Sequence, residues 1–517
     1  MADDIQVEGT VNAKERFEKL DSMRDQVTDR ARQAADITIP AMLPPEGNDE
    51  NSTLPQPYQS LGARGVNNLT SKLRLSLFPP GQPFFRFLME NDTKDLIVGA
   101  DPKAKVKVDK GLLDLENSAM EELEQGTESV ILHSAIKQLV VVGNVLLHMP
   151  TEAMSRIFRL NNYVVVRDPT GNWYEIVARE EVHISTLPED TRPLAETGTD
   201  GRKGDEIATI FTHVKKVGNK AEWYQSVNDK LVPGSEGKSD YDDCPYIPLR
   251  WSALENENYG RSHVEEYIGD LRSLEDISKS LVQWALAASK VIYLDRPNSS
   301  TDIEAIQDAE SGDFVEGNEE DIGVLALEKF ADFQVVKAQS DDITLRLSHA
   351  FLLQSGTVRN AERVTAVEIR EMAQELEDAL GGVYTVLAAD LQPRVVRRLI
   401  ARLKKKGKFP QLPKGAIKPI VVTGFDALGR GHELNKLRTY FADGVQIFGE
   451  VFLNEFDPGA VSEVLATQHN VDVSGLRKTD EQKTAELEQA SQAQLVDKTA
   501  GPIAGAAAKG MADQINQ

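Results

Sequence analysis

The sequence predicts an α+β chain that is mainly helical, with long helices and a small α/β insertion set between two of them. Three observations predict it. Apolar residues recur at spacings of three and four over 262–290 and again over 365–405, the pattern of helices that bury one face. Short β-branched and aromatic runs separated by Gly, Pro and Asn turns fill 156–250, as strands do. Strand-like pieces return only briefly, between 291 and 338.

The elements follow in order. Residues 14–38 read as one amphipathic helix on Phe17, Leu20, Val27, Ala31 and Ala34, stopped by Pro40 and the Pro44-Pro45 pair. A polar loop runs to residue 57. Ser60 is placed to cap a helix carrying Val66, Leu69, Leu73 and Leu77, which Phe78-Pro79-Pro80-Gly81 ends; PFFRF then reads as a strand. More helix is expected over 103–149, and a mixed sheet over 156–250 from the runs YVVV, WYEIV, IATIFTHV and AEWYQSV.

From Ser262 to Lys290, Val264, Ile268, Leu271, Leu274, Ile277, Leu281, Trp284 and Ala288 form one stripe, with Glu265, Asp270, Glu275, Asp276 and Lys279 opposite. VIYLD, GDFVEG, IGVLALE and DFQVVK read as strands of the insertion. Asp341 and Asp342 start a second helix through Ile343, Leu347 and Phe351, and a loop follows from Ser355 to Arg363. Thr365 and Glu368 make the capping box of a further helix. Its stripe runs from Ile369 to Leu403 and the helix, of about 40 residues, would be about 60 Å long if unbroken, but Gly381-Gly382 and Pro393 predict a kink or break. Helix is expected again from 433 to about 470, and the tail from 479 is rich in Gln, Ala, Glu and Lys. No internal repeat of fixed period occurs.

Charge excludes one class. In 517 residues, 82 acidic side chains face 58 basic ones, for a net charge of -24. That is the wrong sign for a domain that grips nucleic acid by releasing counterions; taken alone it signals solubility. The single cysteine, Cys244, allows no internal disulfide and no CxxC motif and reads as a partly buried small residue. The start MADDIQVEGT lacks the charge and apolar core of a secretory signal, and the longest apolar run, Leu139 to Leu147, is far too short to span a bilayer. The chain is expected to stay in the cytoplasm where it is made, without membrane contact.

Catalytic patterns fail one by one. In IVVTGFDALGRG, Arg430 and Gly431 stand where a phosphate loop needs lysine and a hydroxyl residue, so a glycine-rich turn is the better account. The eight histidines never come four apart, and neither HExxH nor G-x-S-x-G occurs. Glu319-Glu320-Asp321 reads as a solvated turn. Arg359 and Arg363 fit a phosphate contact, loop solvation or a neighbouring salt bridge equally well. The cluster Arg394, Arg397, Arg398, Arg402, Lys404, Lys405, Lys406 and Lys408 is the one strong positive patch. It suits the end of a helix, and solvation or subunit pairing is preferred there over DNA contact. No catalytic residue, metal or cofactor is expected.

Five long stretches carry a resemblance: YQSLGARGVNNLTSKLRLSLFPPGQPFFRF, IKQLVVVGNVLLHMP, CPYIPLRW, YGRSHVEEYIGDLRSLE and ERVTAVEIREMAQELEDALGGVYTVLAADLQ. In this order they resemble the portal proteins, or head-to-tail connectors, of short-tailed, podovirus-type double-stranded DNA bacteriophages, over roughly residues 12–440. The resemblance implies a portal fold divided into a wing over 1–261, stem helices at 262–290 and 341–354, and a clip at 291–340 between them. It also implies a tunnel loop at 355–364, a long kinked helix and wing return over 365–424, a crown over 425–478 and a helical tail or inner barrel over 479–517. About twelve copies would form a ring at one capsid vertex, made in the host cytoplasm and carried in the virion. Duplex DNA would pass through without sequence specificity, met by Arg359 and Arg363. The terminase large subunit, and later tail adaptor and tube proteins, would dock on a clip surface including Glu316, Glu319, Glu320 and Asp321. Major capsid, scaffolding and internal core proteins are the other implied partners. A packaging NTPase, or another adaptor or tail protein, is the alternative reading.

Overall fold

The computed structural model describes residues 12–48, 51–80, 84–88, 102–196, 207–289, 292–297, 301–325, 330–353, 366–408, 420–423 and 430–456, with 458, 459, 461, 462 and 465. The chain divides into two units, residues 1–101 with 111–429, and residues 102–110 with 430–517.

The N-terminal stripe forms two helices, α1 (Ala13–Asp21) and α2 (Asp25–Asp36), and not one. Arg24 is the reason. Its buried guanidinium donates to Asp21 Oδ1 at 2.8 and 2.6 Å and to the Leu160 carbonyl at 2.6 Å, which turns the chain at 22–24. In α3 (Leu61–Leu77), Ser60 stands at the cap position without a side-chain capping bond. Gln59 supplies it: Oε1 accepts from Gly62 N at 2.8 Å while Nε2 donates to Ile37 O at 2.7 Å, tying the end of α2 to the start of α3.

β1 (Phe85–Leu88) is followed by α4 (Pro102–Gln125) and α5 (Glu128–Val142). Gly143, at φ 79°, ends α5 in the left-handed region that glycine adopts without strain. The last apolar residues of the run then form β2 (Asn144–His148) and not more helix.

The sheet region is antiparallel throughout and not mixed. β2, β3 (Arg156–Phe158) and β10 (Tyr246–Arg250) form a three-stranded sheet in the order β10-β2-β3. A second sheet runs β4 (Tyr163–Arg167), β5 (Trp173–His183), β6 (Ile207–Val217) and β7 (Lys220–Val227), with β8 (Lys230–Leu231) and β9 (Gly237–Asp240) both on β7. The short helix α6 (Arg192–Glu196) precedes β6. α1 lies on this sheet, its Ala13 and Phe17 buried with Val164, Val177 and Phe211. The free edge of β4 is covered, since Tyr259 Oη accepts from Val165 N at 3.1 Å and Asn258 Oδ1 from Arg167 N at 2.7 Å.

Then follow α7 (His263–Glu266), α8 (Ile268–Ala288), β11 (Ile292–Asp295), α9 (Ile303–Asp308), β12 (Ile322–Leu325), α10 (Phe330–Ala350), α11 (Ala366–Leu380), α12 (Val383–Lys405) and β13 (Ile420–Thr423), which pairs with β1. The expected long helix is broken at Gly381 (φ 58°) and Gly382 (φ 93°), whereas Pro393 lies within α12 without ending it. Leu391, Val395 and Leu399 of α12 are fully buried, at about 1.5–3 kcal/mol each by burial of apolar surface. The Thr365 capping box lies outside the described residues.

In the second unit α13 (Arg430–Phe448), starting three residues earlier than expected, runs into a 3-10 segment, Gly449–Glu455. Tyr440, Phe441, Phe452 and Phe456 cluster there, with ring centroids 5.0 to 6.4 Å apart. The tail from 479 lies outside the described residues.

Candidate functional site

α8 and α10 form an antiparallel pair. At one end Arg346 approaches Asp270 at 3.5 Å; toward the other, Trp284 stacks on Phe333 with centroids 4.7 Å apart. Ser262 caps α7 by accepting from Glu265 N at 3.0 Å. Tyr267 then interrupts the helix expected from Ser262 to Lys290 before α8 begins. The second helix starts eleven residues before Asp341 and takes up the DFQVVK segment expected as a strand.

The base of the pair is tied to the rest of the first unit from several directions. Glu275 accepts from Tyr58 N at 2.8 Å and Gln59 N at 3.1 Å. Asn144 brackets Gly260, accepting from its N–H at 2.7 Å and donating to its carbonyl at 2.9 Å. At the end of α10, His263 Nε2 lies 3.0 Å from the Ala350 carbonyl, and Asn68 Nδ2 donates to the carbonyls of Phe351 at 3.0 Å and Leu352 at 2.9 Å. Leu352 has φ 54°, an uncommon conformation for a branched side chain. Beyond this base the pair rises with apolar residues uncovered: Leu286 is 63% and Val335 71% exposed.

The insertion between the helices is smaller than expected. β11 and β12 pair from Ile292↔Leu325 to Asp295↔Ile322, with α9 on the intervening loop, while GDFVEG is not a strand. Glu316 and Glu320 are exposed. Asp321 is buried instead, accepting from Thr301 Oγ1 at 3.0 Å; it holds the loop and is not available as surface. The side chain of Glu319 lies outside the described residues, as do Arg359 and Arg363.

The basic cluster on α12 is not an open patch. Arg398 and Arg402 are buried. Arg398 donates to the carbonyls of Met149 at 2.8 Å and Asp243 at 2.7 Å, and Arg402 to those of Pro150 at 2.9 Å and Ala153 at 3.3 Å and to the Glu128 carboxylate. The others turn outward, with Arg394 paired to Asp390 at 2.9 Å, Arg397 to Asp242 at 3.2 Å and Lys405 to Glu152 at 2.7 Å. Lys404 is exposed and has a partner of its own. A helical end rich in cations looks like a surface in sequence, but two of its residues face carbonyls that only the tertiary fold brings there.

A second buried charge network is one that sequence reading missed. Glu175 Oε2 accepts from Arg16 at 3.0 and 2.6 Å, its Oε1 lies 2.7 Å from His213 Nε2, and His213 Nδ1 lies 3.0 Å from Tyr224 Oη. Burial alone would raise the Glu175 pKa; the bonds from His213 and Arg16 outweigh it and bring the carboxyl to about 2. Each partner sits on a different element, so no local motif announces them. Cys244 is buried, which pushes its thiol to about 12. Among the described residues no group of three or more His, Cys, Asp or Glu is arranged to hold a metal, and no helix is long and apolar enough to cross a membrane.

Large apolar side chains left uncovered on a braced helix pair, as Leu286 and Val335 are, make the kind of surface that other chains cover. Residues 10–476 match the family described as bacteriophage head to tail connecting protein, and the chain belongs to that family. It is similar to the portal protein of Escherichia phage T7, at 40% identity over 97% of this chain and 94% of that protein. It is also similar to those of Enterobacteria phage T3, at 40% over 92% and 90%, and Enterobacteria phage SP6, at 32% over 82% and 81%. Among solved structures it is similar to a chain in the neck of a native GTA particle computed with C12 symmetry, at 12% identity and a TM-score of 0.32 over 69% of this chain and 91% of that one, a likeness too remote to support a conclusion.

Proposed function

We propose that the chain is the portal protein of a double-stranded DNA phage, with about twelve copies forming a ring at one capsid vertex through which the genome is packaged and later ejected. The observation that carries this reading is the 40% identity to the T7 portal protein over 97% of the chain. The paired helices α8 and α10 serve as the stem, the insertion between them as the clip, and the loop holding Arg359 and Arg363 faces the channel. The sheets with their helices make the wing, and α13 opens the crown. The clip receives the terminase large subunit first and tail adaptor and tube proteins afterwards. Capsid, scaffolding and internal core proteins contact the remaining surface.

The charge supports a mechanical role. A wall built from about twelve copies of a chain at -24 repels the phosphate backbone, so duplex DNA slides without adhering. The chain performs no chemistry in this reading; the packaging ATPase supplies the energy.

Negative-stain electron microscopy of the purified protein at low and high salt tests it. Closed rings of about twelve with a hole wide enough for a duplex are expected. Monomers or dimers that turn over ATP would sink the reading.

A further inference from the structure

We propose that Phe314, at the tip of the insertion, anchors a contact with another protein, and that this partner presents an apolar socket rimmed by lysine or arginine. The proposal rests on the portal reading and gives the clip a residue and a partner chemistry.

Phe314 is fully exposed, which forgoes the burial that a phenylalanine normally gains on folding. The loop presenting it is braced on both sides. Before it, Asp313 Oδ2 accepts from Glu310 N at 2.8 Å and Asp313 N donates to Glu310 O at 3.1 Å, around Gly312 at φ 112°. After it, Thr301 Oγ1 accepts from Asn318 N at 2.9 Å and donates to Asp321 Oδ2 at 3.0 Å. Gly317 presses so closely on Thr301 that a Cβ would lie 2.7 Å from Cγ2. An aromatic side chain on a braced loop has met much of its ordering cost before binding, the condition under which a single aromatic becomes a dominant contact.

The charge around it selects the partner. Asp308, Glu310, Asp313, Glu316 and Glu320 are all exposed, and Arg296, 4.0 Å from Glu320, is engaged with one of them. Duplex phosphates and the same acidic tip on a neighbouring copy are both repelled. Ile303 and Ile306, one turn apart on α9 and partly exposed, extend the apolar surface on the same insertion. A basic rim around an apolar pocket complements this combination.

The test uses rings of the full chain with two purified probes, the packaging ATPase and the tail adaptor of the same phage. Phe314→Ser is expected to form rings as the wild type does and to bind at least one probe about tenfold or more weakly, with Phe314→Leu retaining more. A Glu310→Lys, Glu316→Lys variant is expected to associate more slowly and with a flatter salt dependence. Unchanged affinity of Phe314→Ser for both probes overturns the proposal. So does loss of rings in Phe314→Ser, which would assign the side chain to a neighbouring copy. If the wild type itself forms no rings, it is the portal reading that fails; rings that bind the probes equally with and without Phe314 remove only the anchor.

Discussion

Arg402 and Glu128 form an ion pair whose side chains are only 6% and 4% exposed, joining the last turn of α12 to the first turn of α5. A buried pair gains little over a well-packed apolar one, because both charges lose water. Removing one partner is different, since it strands the other charge. Arg402→Met is therefore expected to cost about 3–5 kcal/mol, while Glu128→Gln, which keeps an acceptor, should cost less. Urea denaturation at fixed protein concentration measures both. A cost for Arg402→Met below that of an exposed pair such as Lys405–Glu152 would show that the loop at 149–155 does not depend on it.

Gly65 on α3 meets the ring of Phe351, where an added Cβ would lie 2.6 Å from Cγ. In an open helix Gly→Ala gains up to about 1 kcal/mol. Here the sign should reverse, with Gly65→Ala destabilising by about 1–3 kcal/mol through overpacking. Phe351→Leu, although destabilising alone, should absorb part of that cost in the double variant. Additive losses in a double-mutant cycle would show that the two residues do not share the space.

These two sites mark how far the sequence was legible. Stripes of leucine and valine located α3, α8 and α12 because burying one face repeats a period along the chain. Gly381-Gly382 located the break because only a glycine pair enters the left-handed region cheaply. Asp341-Asp342 misled for a local reason: in α10 they lie mid-helix and exposed, where two acids are tolerated as easily as at a helix start. The mixed sheet became antiparallel because pairing direction is set by connections and not by strand composition. Arg398, Arg402 and Asp321 looked like surface because charge alone does not report which carbonyl or hydroxyl waits across the fold. Phe314 was hidden inside a run that looked like a strand.

Acid should unfold the chain through two histidines. Burial lowers His148 to about 3, helped by the charges of Arg156, Arg398 and Arg402, and burial lowers His263 to about 4 against the opposing bond to Ala350. Above the ordinary value of 6.5 both histidines are neutral folded and unfolded and contribute no slope. As pH falls below 6.5 the unfolded chain takes up protons that the folded chain refuses, so stability declines down to about pH 4 for His263 and pH 3 for His148. The loss is on the order of 1.4 kcal/mol per pH unit for each group that stays neutral. His148→Phe, which can keep the stack on Tyr246, should flatten the acid limb. Identical pH slopes for that variant and the wild type between pH 6.5 and 4 would remove His148 from the account.

Asn68 holds the last turn of α10 by giving both amide hydrogens to the carbonyls of Phe351 and Leu352. Asn68→Ala removes both of these bonds beside the left-handed Leu352, at a cost of about 1–3 kcal/mol. Hydrogen exchange should quicken around residues 350–353 while remaining unchanged in the distant β5–β6 ladder. Uniform acceleration across the first unit would indicate global destabilisation and not a local release.

The break between α11 and α12 allows a prediction whose sign decides between two pictures. If the glycines merely permit a bend in a helix that would rather be straight, Gly381→Ala with Gly382→Ala should stabilise by up to about 1 kcal/mol at each position through helix propensity. The geometry favours the opposite. Both residues have positive φ, at 58° and 93°, which costs a side chain about 1–2 kcal/mol each. The Glu377 carboxylate reaches across the break to accept from Thr385 N at 3.0 Å and Thr385 Oγ1 at 2.9 Å, a cap that exists only if the helix stops. The double alanine variant is therefore expected to lose about 2–4 kcal/mol, and Glu377→Ala to lose about 1 kcal/mol by itself. Thermal melting of the three variants at one protein concentration measures this, and a gain in stability for the double alanine would establish that α11 and α12 prefer to be one helix.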